Sequence, residues 1–140
     1  MRIPTAALLA GALALPLSPA MAASVKLAAT LTGANEPAGG DADATGTFAA
    51  EADADAGDLC YTLTAGKMAK PTAAHIHTGA AGVNGPPVVT IDVTGASGDE
   101  CVAVEPEVLK PIVANPAGYY VNVHNAEFPA GAIRGQLIAK

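Results

Sequence analysis

All three histidines of this chain fall in two short motifs, Ala-His-Ile-His at 74–77 and Val-Asn-Val-His at 121–124. Neutral imidazole is a good nitrogen ligand for a divalent transition metal near pH 7. On a β-strand, residues two apart share a face, so His75 and His77 project together while Ile76 points the other way. In "YYVNVHN" the same alternation separates Tyr119, Val121 and Val123 from Tyr120, Asn122 and His124. If the two strands are neighbours, three imidazoles meet within reach of one ion, at about 2.0–2.1 Å from it.

Three imidazoles and no thiolate suit Cu(II) or Zn(II), with copper favoured by the affinity order and one coordination position left open. Met68 offers a thioether as a weak fourth ligand for Cu(I) or, alternatively, fills a gap in the core. Tyr120, Asn122, Asn125 and Glu127 lie near enough in sequence to orient the imidazoles. Arg134 falls on the polar face of "AIRGQLIAK", either drawing small anions toward the histidines or pairing with a surface acid such as Glu127. Either motif alone reads better as hydrogen-bonded strand residues than as a metal site. The case for a metal is the conjunction of all three histidines on strand faces that point away from the core.

The segments that must position these residues read as strands. Gly, Pro and Thr punctuate the chain every eight to twelve residues, and apolar positions alternate rather than recur at helical spacing. The strands are placed at 24–33, 44–53, 58–66, 73–79, 87–95, 119–125 and 132–140, as in a two-sheet sandwich or a small barrel. One short helix, kinked or interrupted at Pro111 and capping one end of the sandwich, is expected within "EPEVLKPIVANPAGY", where Val108, Leu109, Ile112 and Val113 recur at helical spacing. The acidic run "DADATGTFAAEADADAGD" reads as a solvated hairpin edge rather than a calcium loop, since it lacks the EF-hand pattern.

Residues 1–22 read as a signal peptide: Arg2, the apolar run "AALLAGALALPL", too short to span a bilayer, and the small-residue site "SPAMA". The remaining 23–140 suffice for one domain. Without Arg2 the net charge moves from −6 to −7, a balance that repels nucleic acid and anionic lipid. Export to the periplasm or the medium makes a disulfide the natural reading of the isolated pair Cys60 and Cys101, with thiolate metal ligation as the competitor. It also puts copper, zinc and other exported proteins within reach as partners. Oligomeric state is not legible.

With these residues in hand, the chain resembles the CHRD family, named for the repeated domain of chordin. The resemblance rests on "AHIHTGAAGVNGPPVV", the cysteine pair and "IVANPAGYYVNVHNAEFPAGAIRGQL". It implies an immunoglobulin-like antiparallel β-sandwich or barrel with a distant likeness to Cu,Zn superoxide dismutases; chordin itself binds bone morphogenetic proteins. Three histidines do not suffice for the dinuclear site of a dismutase, and no nucleophile-elbow or Ser-His-Asp pattern is present. Three readings follow: an exported copper-binding protein with a mononuclear three-histidine site, an extracellular interaction or structural module without a metal, and a mononuclear dismutase-like oxidoreductase. Binding is favoured over catalysis.

Overall fold

The computed structural model describes residues 23–93 and 100–140. The leader read over residues 1–22 lies outside the described residues. Among the described residues there are nine strands: β1 (Val25–Thr32), β2 (Thr45–Asp53), β3 (Asp58–Gly66), β4 (Pro71–Thr78), β5 (Pro87–Ile91), β6 (Glu100–Ala103), β7 (Tyr119–Asn125), β8 (Ile133–Gln136) and β9 (Ile138–Ala139). They form one antiparallel sheet in the order β5-β4-β7-β8-β1-β2-β3-β6, with β9 also pairing with β1. The sheet curls into a nearly closed barrel whose two edges are β5 and β6. Across that opening the amide of Asp92, just past β5, donates to the Tyr61 hydroxyl on β3 at 2.8 Å.

The alternation seen in the sequence drives the closure. On β2, Gly46, Phe48, Ala50 and Ala52 are buried while Thr45, Thr47, Ala49 and Glu51 are exposed. The inward set joins Leu27, Leu31, Leu59, Ile76, Ile91, Val121, Val123 and Ile133 in a single core. A helix, α1 (Pro106–Ala114), lays Leu109 and Ile112 into it and carries Pro111 within its span. Pro106 opens the helix, where a missing N–H is harmless, and Asn115-Pro116 ends it.

The sequence reading missed β6, which has only four residues and alternates too briefly to register. It also ran β8 and β9 together. Leu137, fully buried, separates them, and its amide donates to the Tyr119 carbonyl at 3.0 Å, the next rung in the β7–β8 register. Part of the expected strand at 87–95 ends at Ile91, and residues 94 and 95 of it lie outside the described residues.

Cys60 and Cys101 sit opposite each other in the β3–β6 pairing and are joined by a disulfide. The bridge closes a sequence separation of 41 residues and fastens edge strand β6 to the barrel. In the acidic hairpin, Glu51 pairs with Lys26 at 3.4 Å and Asp55 with Lys110 at 3.0 Å, both at the exposed surface. Such pairs contribute little to stability.

Candidate metal centre

β4 and β7 are neighbours, and their register sets His75 opposite Asn122, His77 opposite Tyr120, and Ala73 opposite His124. Strand β8 continues the rows on the far side of β7, with Asn122 opposite Arg134 and Tyr120 opposite Gln136. Directly paired residues share a face. One face of three adjacent strands therefore carries His75, His77, His124, Tyr120, Asn122, Arg134 and Gln136, while Ile76, Val121, Val123 and Ile133 fill the core behind it.

The three histidines converge as expected. Each presents one ring nitrogen, and the three nitrogens lie within 4.8 Å of one another. Among the described residues no other group of three His, Cys, Asp or Glu side chains does so. His75 Nδ1 and His124 Nε2 are already 3.3 Å apart. A metal at about 2.0–2.1 Å from each donor asks for ligand atoms roughly 3–4 Å apart, so the cluster needs only a small contraction.

Backbone carbonyls fix two of the rings. His124 Nδ1 donates to the Pro129 carbonyl at 3.0 Å and His77 Nδ1 to the Gly85 carbonyl at 2.8 Å. Each bond puts the proton on Nδ1 and leaves the Nε2 lone pair for a metal, the arrangement that ligating histidines usually show. His77 Nε2 is buried and has no hydrogen-bond partner. In the metal-free protein the contact between His75 and His124 takes one proton, donated by His75 Nδ1 to His124 Nε2; to ligate through Nδ1, the neutral His75 ring would carry that proton on Nε2 instead.

Local sequence explains both carbonyls. After β7, the Asn125 side chain accepts from the amides of Glu127 and Phe128 at 3.1 and 2.8 Å, an Asx turn that brings Pro129 back beside His124. Gly85 packs so tightly against the Thr78 carbonyl that any Cβ at this position would collide with it. Its amide donates to the Tyr120 hydroxyl at 3.2 Å, and that hydroxyl is 3.4 Å from the Gly85 carbonyl. The Tyr120 ring stacks on His77, centroids 4.9 Å apart and 9° from parallel. The Arg134 guanidinium carbon stands 3.4 Å from the Tyr120 ring centroid. One of its nitrogens donates at 3.1 Å to both the Val83 carbonyl and the Asn84 side chain, holding residues 79–86 over the site.

Electrostatics favours neutral imidazoles. Burial, reinforced by repulsion from His124 and His77, pushes the pKa of His75 down. For His77 burial also lowers the pKa; the bond to Gly85 opposes this, and His124 and Arg134 add to it. Rings that resist protonation are free to ligate.

Tyr120, Asn122 and Arg134 thus stand where the sequence placed them, beside the histidines, but their face is not wet. They are 2, 3 and 2 % exposed, because residues 79–86 and the turn after β1 cover that side of β7 and β8. Arg134 makes no surface ion pair with Glu127, which is exposed. The acid near it is Glu36, 8 % exposed, whose carboxylate accepts from the Asn122 amide nitrogen. Burial raises the pKa of Glu36, while Arg134 and the Asn122 bond lower it. Sequence reasoning missed Glu36, Gly85 and Pro129, since nothing local marks them: the first lies 86 residues from Asn122, and the other two act through backbone. Met68 is partly buried against the apolar core, as a gap-filling residue would be.

Fold and site together define a disulfide-fastened, barrel-like β domain with a half-buried cluster of three imidazoles at one face. The CHRD domain model matches residues 27–137, and the chain belongs to that family, a family of extracellular domains. No curated protein and no solved structure matches the chain. No helix among the described residues is long and apolar enough to cross a membrane.

Proposed function

We propose that this protein is an exported copper-binding protein, acting in the periplasm or the medium, with one ion held by His75, His77 and His124. One observation carries the reading: three ring nitrogens converge within 4.8 Å, and two of the rings are held by backbone carbonyls in the tautomer that leaves Nε2 free. Copper stands ahead of zinc because an all-nitrogen site follows the general affinity order. Three protein ligands leave a position open, and a buried arginine and asparagine lie close by. Copper handling or protection suits such a site.

The test is calorimetric titration of metal-free protein with Cu(II), with Zn(II) alongside, followed by paramagnetic resonance of the copper form. One-to-one binding with nitrogen hyperfine structure is expected. His124→Ala should abolish most of the affinity without unfolding the domain, and an unchanged affinity would refute the assigned site.

Family membership supports a second reading, an extracellular interaction module whose histidines only pack. On that reading metal-free protein melts at the same temperature with and without copper and binds its protein partner equally in both states.

A further inference from the structure

Next to the histidines lies a cavity of about 190 Å³, whose lining includes Glu36, His77, Tyr120, Asn122, Gly131 and Arg134. Three of these side chains bring buried polar atoms without partners: Nε and Nη1 of Arg134, Oδ1 of Asn122 and Nε2 of His77. Native proteins rarely leave such atoms unsatisfied, and each costs free energy until something binds it. Here the side chains that carry all four line one cavity. The Arg134 atoms are donors and ask for acceptor oxygens. Asn122 Oδ1 is an acceptor and asks for a hydroxyl or an amine.

Charge points the same way. A divalent ion on three neutral imidazoles brings two positive charges into a half-buried site, with Arg134 beside it and Glu36 as the one carboxylate lining the cavity. Uncompensated charge away from water is costly. Glu36 compensates poorly, because its carboxylate is engaged by Asn122 and burial favours its protonated form. The cavity is too small for a peptide and ample for a few heavy atoms.

We propose that this cavity binds a small singly charged oxyanion carrying one hydroxyl, of the hydrogencarbonate type, with its oxygens on Arg134 and its hydroxyl on Asn122 Oδ1, and that this anion and the metal strengthen each other's binding. The inference rests on the copper reading and names a co-ligand for the same site. Copper and anion interact through opposite charge across a poorly solvated gap, so the coupling is reciprocal.

The experiment uses the full mature chain at constant ionic strength. Hydrogencarbonate and formate are titrated into metal-free and copper-loaded protein, followed by calorimetry and, for the copper form, by its paramagnetic resonance and visible spectra. Copper affinity, corrected for copper complexed by the buffer anion, is measured with and without each anion. Hydrogencarbonate should tighten copper binding about tenfold, copper should tighten hydrogencarbonate by the same factor, and formate, which has no hydroxyl for Asn122, should do less. Arg134→Met should remove the effect; if that variant does not fold, the wild-type titrations decide alone. Copper bound with the same affinity and an unchanged spectrum at every anion concentration would overturn this inference and leave the copper site standing. No copper binding in any condition would overturn both.

Discussion

The two sides of the barrel are built on opposite principles. Around β1, β2 and β3, one face of each strand is apolar and largely buried, the other is wetter, and a disulfide fastens edge strand β6. Around β4, β7 and β8, both faces are covered: an apolar core lies behind, and a packed layer of His, Tyr, Asn and Arg lies in front under residues 79–86 and Glu36. The first side holds the domain together. The second sacrifices some of that stability, since four of its buried polar atoms lack partners, and in return presents groups that can bind something.

If that division is right, damage to one side should leave the other's property intact. The largest expected effect is on stability: replacing both Cys60 and Cys101 by serine should cost about 4 kcal/mol in the chain-entropy account of a loop this long. Denaturant titration measures the loss, and copper affinity of the molecules still folded should not change. A parallel fall in affinity would show that the disulfide side shapes the site.

His124→Ala is the converse. It should lower Cu(II) affinity about a hundredfold or more, near 2.7 kcal/mol, while the metal-free domain melts where the wild type does. A large drop in melting temperature would instead make His124 a structural residue.

Tyr120→Phe sharpens the comparison, because it keeps the stack between His77 and Arg134 and removes only the hydroxyl that grips Gly85. Loss of such an outer contact should weaken copper binding about tenfold. Calorimetry showing no change would mean that residues 79–86 hold His77 without that hydroxyl.

The smallest effect concerns acid. His75 and His77 bind protons less readily folded than unfolded, so below the ordinary imidazole value of 6.5 the unfolded chain takes up protons first. Stability of the metal-free protein contributed by these rings is therefore present above pH 6.5 and lost as pH falls toward their folded values. Denaturant midpoints at pH 7.5 and 5.5 should separate more for the wild type than for His75→Gln. Equal separation would mean that the cluster is not the acid-sensitive element.

Much of the molecule was legible in its residue pattern, and the limits were physical. Where one face of a strand meets water, alternation records the burial, so β1, β2 and β3 and the shared direction of His75 and His77 could be read off directly. Helix α1 was legible because Pro106 and Asn115-Pro116 mark its ends. Strand β7 was only half legible: alternation separated Tyr120, Asn122 and His124 from the core but could not say that this second face is also buried. That was decided by chain segments distant in sequence folding over it, Glu36 from the turn after β1 and Gly85 from residues 79–86. The three imidazoles and the two-residue spacing of His75 and His77 came from the sequence itself. The pairing of β4 with β7 that brings His124 to the other two, the carbonyls that fix the tautomers and the cavity beside Arg134 came only from tertiary structure, because each depends on contacts between segments whose local sequences carry no trace of one another.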